Sequence, residues 1–164
     1  MAGVLQIHEM TGEAAGTDKT SGTVRFKAAD NVTVDSANRL QIGGTTSYSY
    51  TKHLKAYVSS APDTDFTNLE AYTDGAGFTN TVTCMYIHTQ SWSANVTTNI
   101  AGADLFTKVT GDRIDMNSWD TTHTAGQSPA YWGDVLKLQL AVGATAAPGT
   151  LTPAEVLTFS YDET

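Results

Sequence analysis

Charge is scarce in this chain, and basic charge is scarcest: only 16% of its 164 residues are charged, with nine Lys or Arg against seventeen Asp or Glu, a formal balance of −8. Nucleic acids and anionic membranes are bound by cations that displace their counterions, so neither is an expected partner. The acidic balance serves solubility and leaves room for a basic protein partner. Cysteine is nearly absent as well. Cys84 stands alone, which excludes an intrachain disulfide, and its neighbours Val82, Met85, Tyr86 and Ile87 predict a buried structural thiol. No apolar run approaches the roughly 20 residues of a membrane span. Met1 to Glu9 lacks the basic and apolar regions of a secretory leader, which predicts synthesis in a cytoplasm and makes the sequons at Asn31 and Asn95 chance matches. No phosphate-binding or cofactor motif occurs, so no cofactor is expected.

Apolar residues are present in quantity, 40% of the chain, and they recur at period two, the signature of strands with one buried face. In Val135 to Val142, Leu136, Leu138, Leu140 and Val142 share a face opposite Lys137 and Gln139; in Ala154 to Glu163, Leu157, Phe159 and Tyr161 alternate with Thr158 and Ser160. Pro148-Gly149 and Pro153 between them predict a turn and hence one long hairpin closing the chain. Further strands are expected at Val4 to His8, Thr23 to Ala28, Tyr48 to Ser59, Asn68 to Thr73 and Thr81 to Thr89, with a short pairing segment at Leu40 to Ile42. The alternation in Thr81 to Thr89 is less clean, as in a strand covered on both faces. Ala103 to Val109 is the one candidate helix. The small-residue segment 9–22 predicts an extended contact loop. About seven to nine short strands with frequent turn signals indicate a single domain over 1–164, an all-β antiparallel β-sandwich of jelly-roll or Greek-key type.

Catalytic patterns start and fail. His8-Glu9 opens like a zinc-protease motif, but Gly12 stands where the second histidine belongs. Ser128 in Gly126-Gln127-Ser128-Pro129 lacks the following glycine of a nucleophile elbow. His53 and His88 fall within predicted strands, where partly buried histidine is the ordinary reading. Asp112, Asp115 and Asp120 crowd one oxygen-rich segment and are the calcium candidates, although their spacing is not that of an EF-hand and solvated turn carboxylates are the simpler reading. Trp92, Trp119 and Tyr131 lie in or beside predicted loops, where a ring could stack on a sugar or anchor an interface; Trp132, just before a core strand, is expected to plug the sandwich.

Four segments carry a resemblance: Asp18 to Asn31, Tyr48 to Lys52, Ala71 to Gly75 and Leu151 to Glu163. Through them the chain resembles small structural proteins of tailed bacteriophages. The resemblance implies a non-enzymatic virion component, most nearly a head decoration or cement protein, made in the host cytoplasm and located on the capsid surface. Its implied partners are the major capsid protein and copies of itself, as a homotrimer. Interface candidates are then Thr11, Thr17, Asp18, Lys19, Trp92 and Trp119. The alternatives are a carbohydrate-binding β-sandwich using Trp92, Trp119 and Tyr131, and a tail or neck structural protein.

Overall fold

The computed structural model describes residues 3–30, 38–60, 63–79, 81–147 and 155–164. Ten strands are defined: β1 (Val4–Gly12), β2 (Ala15–Asp18), β3 (Ser47–Tyr48), β4 (Lys52–Ser60), β5 (Phe66–Thr73), β6 (Val82–Thr89), β7 (Ala103–Asp104), β8 (Ile114–Asp115), β9 (Ala130–Val142) and β10 (Leu157–Glu163). They form two antiparallel sheets. The larger runs β2-β1-β4-β9-β6-β7, with β3 also pairing β9, and the smaller runs β10-β5-β8. The sheets pack face to face as an all-β sandwich. Leu54, Ala56, Val58, Trp132, Leu136, Leu138 and Leu140 from the larger sheet meet Leu69, Ala71, Ile114 and Met116 from the smaller in one buried cluster.

β9 is the spine of this arrangement. It pairs β4 and β3 on one side and β6 on the other, and its even-numbered residues from Leu136 onward face the core as their alternation predicted. Two extra residues bulge out of β9 near Gly133, because Leu54 pairs with Leu136 while Ala56 pairs with Trp132. Gly133 has φ of +73°, and a Cβ there would meet Leu69 Cδ2 at 2.5 Å and Met116 O at 2.8 Å. Only glycine fits this crossing between sheets. A second bulge, at Asn68 (φ +53°) in β5, is clipped by its side-chain amide to Asp162 Oδ2 at 2.6 Å.

Several expectations are corrected. β9 and β10 do not form a hairpin: β10 pairs β5 in the smaller sheet, while the Pro148-Gly149 signal and Pro153 lie outside the described residues. Period two marks the buried face of a segment, but says nothing about which sheet receives it. The segment 9–22 is not an irregular loop. β1 extends to Gly12 and β2 returns along it, with Glu9 opposite Thr17; backbone pairing at an exposed edge needs no apolar pattern. Thr23 to Ala28 and Leu40 to Ile42 are not strands. Val24, Phe26 and Leu40 nevertheless pack on the core, since an extended covering segment buries alternate side chains just as a strand does. The expected helix reduces to one 3-10 turn, Leu105–Thr107, capped by Asp104; Ala103 and Asp104 pair with β6 instead.

Candidate functional site

Polar side chains are buried on both faces of the larger sheet. On its core face, Glu9 and Lys52 pair at 2.9 Å, their side chains only 6% and 4% exposed, and Lys19 stands 3.7 Å from the same carboxylate. On its outer face, His53 and Gln139 are fully buried beneath the segment 90–101. Gln139 donates to Ser49 O at 2.9 Å and Thr98 O at 3.0 Å, and accepts from Ile100 N at 3.1 Å. It clamps that segment onto β9.

His53 makes the second clamp. Asn95 directs its amide N–H at Asp30 (2.7 Å) and its oxygen at His53 Nδ1 (2.8 Å). That oxygen can only accept, so the imidazole proton sits on Nδ1 and Nε2 faces Ser93 Oγ at 3.5 Å. Burial, with Lys137 nearby, pushes His53 down to about 4. The sequence of partners, hydroxyl to imidazole to amide, is that of a nucleophile, its base and an orienting group. Its details favour attachment over chemistry: the hydroxyl is far from Nε2, and Lys137 Nζ already donates to Oγ from 3.2 Å. No spacing in the sequence links residues 30, 53, 93 and 95; only the fold gathers them.

Trp92 tilts over His53 with centroids 6.1 Å apart. It is half-buried, and its indole N–H is buried without a hydrogen-bond partner. Trp92 therefore closes the outer face rather than projecting from it. Tyr131 is likewise engaged, in a cluster with His8 and Tyr57. His8 stacks on Tyr57 at 4.6 Å; its Nε2 lies 3.2 Å from Gln6 Oε1, an acceptor, which leaves Nδ1 to accept from the Tyr131 hydroxyl at 3.1 Å. Burial lowers the His8 pKa, with Asp18 opposing, and burial raises that of Tyr131. β2 folds over these rings: a Cβ on Gly16 would meet Tyr131 Oη at 2.7 Å.

The three aspartates proposed for calcium have separate tasks. Asp112 pairs with Lys108 Nζ at 2.8 Å, Asp115 accepts from Asn117 N at 2.8 Å, and Asp120 accepts from Gly133 N at 3.2 Å. Among the described residues no group of three or more His, Cys, Asp or Glu is placed to hold a metal ion. Cys84 is buried, and desolvation raises its pKa to about 12, which keeps it a thiol.

The interface candidates divide. Thr11, Thr17 and Asp18 are exposed on the β1–β2 hairpin, with Asp18 bound to Thr20 Oγ1 at 2.6 Å and Gln6 Nε2 at 3.1 Å. Lys19 is partly withdrawn, its N–H fixed to Ile7 O at 2.7 Å. Trp119 is 49% exposed at the rim between the sheets, its ring 5.4 Å from that of His88. Sequence reasoning missed the acid that holds it there. Asp134, 1% exposed, accepts from Ser118 N at 3.0 Å and Trp119 N at 3.2 Å; burial raises its pKa against those two bonds. The bulge at Gly133 aims Asp134 out of the sheet, and no signal but that glycine marks it in the sequence. No protein-family model, curated protein or solved structure matches the chain.

Proposed function

We propose that the chain is a non-enzymatic structural subunit of a tailed-phage virion, a decoration or cement protein that binds the outer capsid surface at capsomer junctions. One observation carries this reading: the β1–β2 hairpin is an ordered edge of the larger sheet with an exposed outer strand. Among the described residues no strand pairs the free side of β2. Its backbone donors and acceptors are thus available to a strand of a neighbouring subunit, the mode of association that exposed edges support. Thr11, Thr17 and Asp18 supply polar contacts along that edge. A second cue lies at the adjoining corner, where Gly3 N donates to Glu163 Oε1 at 3.1 Å. Val4 and Tyr161, 49% and 37% exposed, add apolar surface near it, suited to burial against a capsomer or a second copy in a trimer.

The test is reconstitution. Purified protein is added to capsids that lack it, and occupancy and position are determined by electron cryomicroscopy. Saturable, symmetric density at capsomer junctions, weakened when Asp18→Pro removes an N–H that the β1–β2 register turns outward, is the expected result. Absence of binding to the shell would overturn the decoration role and direct the same assay to tail and neck assemblies.

A further inference from the structure

Trp119 is an unexplained feature of the rim. A large ring left half in water gains nothing from its exposure, yet the loop that carries it is pinned with care. Besides the two bonds to Asp134, Asn117 accepts from Leu69 N and donates to Asp120 O at 2.7 Å. Asp134 N in turn donates to Met116 O at 2.7 Å. The backbone under Trp119 is therefore preorganised by groups that are themselves buried.

A shallow open depression of about 280 Å³ lies along β6, lined by Tyr86, Ile87, His88, Ala101, Gly102 and Ala103. His88 joins it to the ring, since it lines the depression and meets Trp119 at an interplanar angle of 44°. Gly102 forms the floor so closely against β6 that a Cβ would fall 2.4 Å from Tyr86 O. The result is an exposed indole that shares the His88 imidazole with a depression floored where Gly102 meets the Tyr86 backbone.

We propose that this corner is a binding site for a neutral sugar ring, with Trp119 stacking on its C–H face and the His88 imidazole addressing its hydroxyls. Three observations select that occupant. A protein partner would need a contiguous apolar core around its anchor. Trp119 instead rests against β6, three strands from Val4 on β1, a separation of about 14 Å at ordinary strand spacing. The charge around the loop is acidic, with Asp115, Asp120 and Asp134 in or beneath it, which disfavours sialylated and sulfated glycans. Lys108, beside Tyr86, is neutralised by Asp112. An exposed indole beside an imidazole matches a pyranose, apolar on one face and polar at its rim.

The experiment applies the full chain, Trp119→Ala and His88→Ala to an array of neutral, sialylated and sulfated oligosaccharides, and titrates any neutral hit by tryptophan fluorescence. Circular dichroism and thermal melting establish that each variant is folded. The expected result is binding confined to neutral glycans, weakened at least tenfold by Trp119→Ala and several-fold by His88→Ala. Three outcomes would overturn the site: no binding to any neutral glycan, undiminished binding by Trp119→Ala, or a change of oligomeric state in that variant, which would make Trp119 a protein contact. The result is independent of the capsid assay, because the β1–β2 edge and the Trp119 corner lie on opposite sides of the larger sheet's strand order.

Discussion

Two loops are pinned by buried polar side chains of β9, the first with help from His53 on β4, and with opposite results for the tryptophan each carries. The segment 90–101 is held by Gln139 and His53 and lays Trp92 down over the outer face of the larger sheet. The segment 115–120 is held by Asp134 and stands Trp119 up at the rim. Both anchors are buried, and both satisfy backbone groups of the loop above them. The difference lies in what is beneath the ring. Trp92 has a sheet face to cover, where burying apolar area is favourable at about 25 cal/mol per Å², whereas Trp119 sits past the last core side chain and finds only the edge of His88. An identical anchoring device thus builds a covering segment in one place and a presented side chain in the other.

The largest effect should come from removing the neutral anchor. Gln139→Leu leaves the buried Ser49 carbonyl and the Ile100 N–H without their partner, and should destabilise the fold by about 2 to 3 kcal/mol in denaturant titrations. A loss within about 0.5 kcal/mol would mean that the covering segment is held by packing alone.

The next effect is a pH dependence that originates beneath the covering segment. Because His53 is held near 4 in the fold, against about 6.5 in the unfolded chain, the unfolded state binds more protons between those values. The contribution of neutral His53 is complete above pH 6.5 and is lost as pH falls from there toward 4. Stability should fall by about 2 kcal/mol between pH 7 and 4.5, after allowance for solvent screening. His53→Gln should flatten that slope, and an unchanged slope would assign the dependence to carboxylates.

Asp134→Ala should have a smaller global effect, about 1 kcal/mol, because the burial that raises the pKa of this carboxylate already offsets part of what its two hydrogen bonds contribute. Its local effect should be plain: the amides of Ser118 and Trp119 should exchange with deuterium at least tenfold faster, while Ile100 keeps its rate. Equal acceleration at Ile100 would mean the two loops are one cooperative unit. Smallest of all, Trp119→Ala should shift stability by less than about 0.5 kcal/mol, against about 1 to 2 kcal/mol for Trp92→Ala, most of whose side chain is withdrawn from water. Equal losses would erase the distinction between covering and presented tryptophan.

The chain by itself determined its class and the inward face of its longest strands. Alternation in Tyr48 to Ser59 and Val135 to Val142 is a local consequence of pleating, so residues two apart declare their common face whatever sheet they enter. Cys84 was legible as core from its apolar neighbours, and Trp132 from its place just before a core strand. Tertiary structure alone decided that β9 and β10 part into different sheets, that segment 9–22 pairs as an exposed hairpin, and that Thr23 to Ala28 covers the core without joining a sheet. It also decided every polar constellation. The His53 clamp draws on residues 30, 53, 93 and 95, and the Trp119 loop hangs from Asp134, because pairing of distant strands fixes which side chains meet, and that register leaves no period in the sequence to read.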